Sequence, residues 1–162
     1  MLIECFVDGA AQGQGRVIEE GQPHTYGEAS CAVVIYKNRK VVAHFARGLG
    51  KRDNNEAEYE AVITALLMCA MAGYSDPIIY SDSTVVVNQV NGDWECHSDK
   101  LKPLLLTIRV IQQEFNFRIM HVNRAVVSVA DTAAHDFLDQ LKDVSLLAPA
   151  PKKRKRTKRK RK

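Results

Sequence analysis

Ile78-Ile-Tyr-Ser-Asp-Ser-Thr84, running on into Val85-Val-Val-Asn-Gln-Val90, is the stretch on which the fold turns. A short apolar, β-prone run stops at Ser81-Asp82-Ser83, and a run with helical potential follows. Open α/β sheets build their chemistry where a strand delivers such a residue to the mouth of a helix. Two further segments deliver acids similarly: Asp8 after Ile3-Glu-Cys-Phe-Val7, and Asp131 in Ser128-Val-Ala-Asp131. Glu58, in Asn54-Asn-Glu-Ala-Glu58, is a fourth. Acids that can gather at one end of a sheet point to a divalent-metal site.

Working outward, residues 2–7 alternate as a strand, and residues 9–28, rich in Gly, Gln and Glu, read as a long exposed loop. Residues 31–36 and 40–46 are strand-like and joined at Lys37-Asn-Arg39, with a loop over 48–53. Residues 54–73 are the best helix, closed by Gly73. A strand at 77–80, a helix at about 83–90 and the turn Asn91-Gly92-Asp93 come next. Then follow a helix over 100–115 with Pro103 in its first turn, a strand over 117–122 and a helix over 127–141 opened by Ser128. This order predicts an α/β (α+β) fold: a five-stranded mixed sheet with helices on both faces.

The 162 residues suffice for one domain with a real core, and 46% hydrophobic content fits a globular chain. No apolar run approaches the ~20 residues of a membrane span, and no leader pattern opens the chain, so no membrane partner is expected. Cys5, Cys31, Cys69 and Cys96 form no CxxC pair and read as free thiols in a reducing compartment. The net charge of +4 conceals an asymmetry. Residues 152–162 hold ten Lys/Arg and no acid, leaving 13 basic against 19 acidic residues, or −6, in the rest. An Ala-Pro-Ala-Pro linker from residue 148 divides a domain, 1–147, from a disordered basic tail, 148–162.

Each acid also has a plainer reading. Asp82 could cap the following helix, Asp131 is the fourth residue of a Ser-x-x-Asp box, and Asp8 could belong to an Asp-Gly turn. Glu58 differs. It stands three, four and seven residues before Ala61, Val62 and Ala65, on the face turned to the sheet, while Glu56 and Glu60 point to solvent. A core-facing carboxylate needs a partner, and a cation shared with Asp8 and Asp82 would supply it.

Phe6-Val-Asp-Gly-Ala10, Asn54-Asn-Glu-Ala-Glu-Tyr-Glu-Ala61, Tyr80-Ser-Asp-Ser83 with Asn88-Gln-Val-Asn-Gly-Asp-Trp94, and Ala130-Asp131 together resemble type I ribonuclease H in its compact archaeal-like and bacterial branch. The resemblance spans about residues 2–142. It implies a site of Asp8, Glu58, Asp82 and Asp131 holding two Mg²⁺ or Mn²⁺ ions. It also implies hydrolysis of the RNA strand of an RNA–DNA hybrid, leaving 5′-phosphate and 3′-hydroxyl ends. Backbone at Gly9 and Ala10 would read the 2′-hydroxyl, and Asn54 and Asn55 would lie against the minor groove. A monomeric, cytoplasmic enzyme is expected, with double-stranded RNA as a second candidate substrate.

Three departures stand out. Asp53 replaces the family's usual Thr and would repel a DNA phosphate. Thr84 replaces a longer Gln at the substrate. The loop from Val122 to Asp131 is too short for the family's catalytic His, leaving His135 as an auxiliary group or a surface residue. A basic handle is thin, at Lys100 and Lys102, so the tail is expected to tether nucleic acid. Pro151-Lys-Lys-Arg-Lys-Arg156 also resembles a nuclear import signal. The alternatives are a catalytically weak binding module of the same fold and a resolvase-like DNA nuclease.

Overall fold

A computed structural model describes residues 1–19, 22–130 and 132, and for 13–19 and 22–26 the backbone alone. Its strands are β1 (Ile3–Glu19), β2 (Gln22–Lys37), β3 (Lys40–Asp53), β4 (Ile78–Ser81) and β5 (Arg118–His121). They form one sheet in the order β3-β2-β1-β4-β5. The first three strands are an antiparallel meander, and β4 and β5 add in parallel beside β1. The expected mixed sheet is therefore present. Among the described residues the longer helices beside it are α1 (Asn54–Met71), α2 (Thr84–Asn91) and α3 (Leu101–Glu114).

Side-chain alternation divides the sheet into two faces. Ile3, Cys5 and Val7 of β1, Cys31, Val33 and Ile35 of β2, and Ile79 of β4 pack against α1, α2 and α3. Ala10, Ala32 and Val34 point the other way and receive Ala130. On that second face the Phe6 ring stacks on Tyr80 at 4.9 Å and meets Tyr36 edge-on at 5.3 Å. Residues 128–130 and 132 are helical. The remainder of the helix expected over 127–141, and the tail from 148, lie outside the described residues.

Helix α1 packs on β1 and β2 on one side and against α3 and α2 on others, so its buried positions do not form a single stripe. Tyr59, Ala61, Val62, Ile63, Ala65 and Leu66 are all buried. Removing each large apolar side chain from water contributes about 1.5–3 kcal/mol. The helix closes where the sequence indicates. Gly73 has φ +68°, its N–H donates to Ala70 O, and the Tyr74 N–H donates to Cys69 O, a Schellman closure. In α2 the cap is Ser83, whose hydroxyl accepts from the Val86 N–H, and Gly92 closes the helix at φ +86°. Arg109 of α3 donates to the carbonyls of Gln89 and Val90 at that closing end, where a cation is favoured.

Two loop assignments are corrected. Residues 9–19 and 22–28 are strand and not loop: β1 and β2 continue as one antiparallel ladder from Ile3↔Lys37 to Glu19↔Gln22, with a shift between Gly13 and Gly15. Residues 48–53 continue β3, with Leu49 bulged between the pairs Ala29↔Gly50 and Ser30↔Gly48. Gly- and Gln-rich composition carries no strand signal of its own. Cross-strand pairing at long range supplies the structure instead.

Asp53 has a further, structural role. It is only 5% exposed and caps α1: its carboxylate accepts from the Glu56 N–H at 2.8 Å, and Glu56 Oε2 accepts from the Asp53 N–H at 2.9 Å. A carboxylate held this way is engaged by the helix terminus. Asp53→Ala is expected to lower stability by about 1 kcal/mol, while Asp53→Thr should lose only a few tenths. Urea unfolding of the two variants checks this. A Thr variant as unstable as the Ala variant would refute the capping role.

Candidate metal centre

Asp8, Glu58 and Asp82 each present a carboxylate oxygen, and these oxygens lie within 4.8 Å of one another. Three elements deliver them. Asp8 is 1% exposed in the centre of the sheet, on the strand flanked by β2 and β4. Glu58 sits in the second turn of α1, and Asp82 follows β4 directly. Because Ser83 caps α2, the Asp82 carboxylate is not used at the helix terminus. That removes the plainer reading of Asp82.

Glu58 is under electrostatic strain. Burial pushes its carboxyl well above the usual range, and the charges of Asp8 and Asp82 push it further. The Gly9 N–H acts in the opposite sense by donating to it. Glu58 Oε2 is buried with no hydrogen-bond partner among the described residues. Three hard oxygen donors, with an orphaned buried oxygen on one of them, fit a divalent cation such as Mg²⁺ or Mn²⁺. The phase expected for Glu58 on α1 is therefore met. Its neighbours differ from expectation. Glu60 is not simply solvated but pairs with Arg47 at 2.8 Å, and Glu56 belongs to the α1 cap.

Gly9 has a packing reason to be glycine. A Cβ at this position would stand 2.3 Å from Ala57 C and 2.3 Å from Glu58 N. Strand and helix backbones touch here, and that contact sets how near Glu58 comes to Asp8. Gly9→Ala should cost about 2–3 kcal/mol of stability, since neither backbone can yield cheaply. A thermal melt within 2 °C of the parent would show that the contact is looser.

The remaining expected site residues divide. Asn54 is exposed, and its Oδ1 accepts from the Ala11 N–H at 2.9 Å, so its amide hydrogens remain available as donors. Asn55 is half-buried beside it. Ala10 is 5% exposed and packs on Ala130, so the last described turn reaches β1 two residues from Asp8. Thr84 is exposed at the start of α2. Asp131 and His135 lie outside the described residues. One neighbour went unassigned in the sequence. His121 Nε2 is 3.2 Å from Asp82 O and 3.3 Å from Thr84 Oγ1. Only the parallel pair Ser81↔His121 brings it there, and no local pattern signals that register.

The reverse transcriptase-like family matches residues 20–137. Ribonuclease HI of Halobacterium salinarum is 29% identical over 138 residues, covering 85% of this chain and 64% of that protein. A bifunctional protein of Mycobacterium tuberculosis is 29% identical over 117 residues, 32% of its length. The chain thus spans less than two thirds of these curated relatives. Among solved structures, RNase H1 from Halobacterium salinarum superposes with a TM-score of 0.76 at 29% identity, over 86% of this chain and 99% of that one. LC11-RNase H1 in complex with an RNA/DNA hybrid superposes at 0.75 with 26% identity, over 86% and 98%.

Proposed function

The chain belongs to the reverse transcriptase-like family and has the ribonuclease H fold, and from that membership we propose that it is an endoribonuclease acting on the RNA strand of RNA–DNA hybrids. The observation that carries this reading is the triad of Asp8, Glu58 and Asp82, in which Glu58 holds an orphaned buried oxygen. Asp131 is proposed as the fourth ligand on the sequence resemblance. Two divalent ions held there would supply activation of the attacking water and stabilisation of the leaving oxygen, giving 5′-phosphate and 3′-hydroxyl products.

The chain's own groups do the placing. The Gly9 N–H orients Glu58, and the Ala11 N–H fixes the Asn54 side chain so that its amide can donate to substrate. The solved hybrid complex of LC11-RNase H1, which shares this fold, supports a hybrid as substrate. Retention of all three described acids argues against a catalytically weak binding module.

Incubating the protein with labelled hybrid, RNA duplex and DNA duplex, each with Mg²⁺ or Mn²⁺, tests the proposal. Cleavage of the RNA strand within the hybrid is expected. Cleavage of DNA alone would instead assign the fold to a DNA nuclease.

A further inference from the structure

Beside the acids, one imidazole nitrogen faces two oxygens. Asp82 O is a backbone carbonyl and can only accept, so the Nε2 that lies 3.2 Å from it carries the hydrogen. The same Nε2 is 3.3 Å from Thr84 Oγ1. A nitrogen that donates cannot at once accept there, so Thr84 Oγ1 receives the shared hydrogen through a lone pair. This holds for the neutral Nε2–H tautomer and for the doubly protonated ring alike. The Thr84 O–H is left without an acceptor among the described residues, on an exposed side chain at the flank of Asp82.

The frame around this contact is firm. The Val122 N–H donates to Ser81 O, which locks β5 to β4 next to His121. The Ser83 N–H donates to Ser81 Oγ, which turns the backbone through Asp82. Thr84 O accepts from Asn88 Nδ2, which fixes the first turn of α2. The imidazole therefore bridges the chain on both sides of Ser83, from the carbonyl of one residue to the hydroxyl of the next but one.

We propose that His121 is a positioning residue for substrate: its Nε2–H holds Asp82 O and Thr84 Oγ1 together, so that the Thr84 hydroxyl donates outward to an oxygen acceptor on the RNA strand. This rests on the hybrid-cleaving reading above. The acceptor is either a ribose 2′-oxygen or a phosphate oxygen, and the chemistry of the contact is the same for both.

Two measurements test it. Long-range proton–nitrogen spectra of the metal-free protein, with the His121 signal assigned through His121→Gln, read the tautomer without any activity. An Nε2–H ring is expected, and an Nδ1–H ring would overturn the proposal. The second is a kinetic cycle on hybrid. Losing one such hydrogen bond is worth roughly a factor of five to ten. His121→Ala should lower kcat/KM by that factor, mostly through KM, and His121→Gln, which keeps a donor at the Nε2 position, should recover to within about twofold. Thr84→Val should match His121→Ala, and the double variant should lose no more than either alone. Additive losses, or a parent-like His121→Ala, would overturn it. Hybrids with single 2′-deoxy or single methylphosphonate substitutions then show which acceptor abolishes the difference between parent and Thr84→Val. If the parent cleaves no hybrid, the functional reading fails, and the tautomer still decides the contact.

Discussion

Asp82→Asn is expected to lower hybrid cleavage by roughly a thousandfold or more, equivalent to about 4 kcal/mol of transition-state stabilisation, while the fold survives. The replacement is nearly isosteric, and the capping of α2 by Ser83 does not depend on it. Glu58→Gln should behave likewise, and Glu60→Gln should leave turnover nearly intact, because Glu60 is engaged by Arg47 away from the triad. Steady-state cleavage of labelled hybrid checks all three. A residual rate within tenfold of the parent for Asp82→Asn would dismiss the metal-site assignment.

Glu58→Gln should also be more stable than the parent when divalent cations are chelated. The folded state raises the Glu58 carboxyl above its unfolded value near 4.5, so it binds more protons than the unfolded chain as pH rises from there. Stability from this group is thus present at low pH and lost as pH rises through the raised value. Glu58→Gln removes that loss and relieves Asp8 and Asp82 of a like charge. In chelator at neutral pH its melting temperature should exceed the parent's by a few degrees, the scale on which about 1 kcal/mol moves a domain of this size. Added Mg²⁺ should reverse the order by stabilising the parent alone. A Gln variant that melts below the parent in chelator would mean that the three charges do not repel one another in the folded protein.

What was legible in the sequence follows from how local each signal is. Helix α1, its Gly73 closure and the inward phase of Glu58 could be read because helical spacing and capping act within a few residues. The acids of β1 and β4 could be read because each ends a recognisable apolar run or stands at its border. The long β1–β2 ladder could not, since its Gly- and Gln-rich half has no strand preference apart from its partner. The cap at Asp53 was missed for a related reason. Family pattern placed the residue at the substrate, whereas the local Asp-x-x-Glu spacing of Asp53 and Glu56 already described a capping box. His121 needed the sheet order itself, because only β4 and β5 lying in parallel register bring it over Asp82.

Deleting residues 151–162 is expected to be the largest perturbation that touches none of the acids in the described triad. The segment removes ten positive charges and leaves a body with net charge −6 to approach a polyanion. Association of that body should be slow and weak, because the local field opposes it. If about five of the ten charges sit on phosphates at once, the slope of log K against log salt should fall by about four units on deletion. Near 50 mM salt the apparent KM should therefore rise by orders of magnitude, and the gap should close as salt rises. Turnover at saturating hybrid should hardly change, because the triad is intact. The competing role, an address for nuclear import, predicts equal KM and equal salt slope for the two proteins together with a changed location in cells. Titrating both proteins with hybrid over a salt series separates the roles: parallel lines would rule out tethering, and converging lines would establish it.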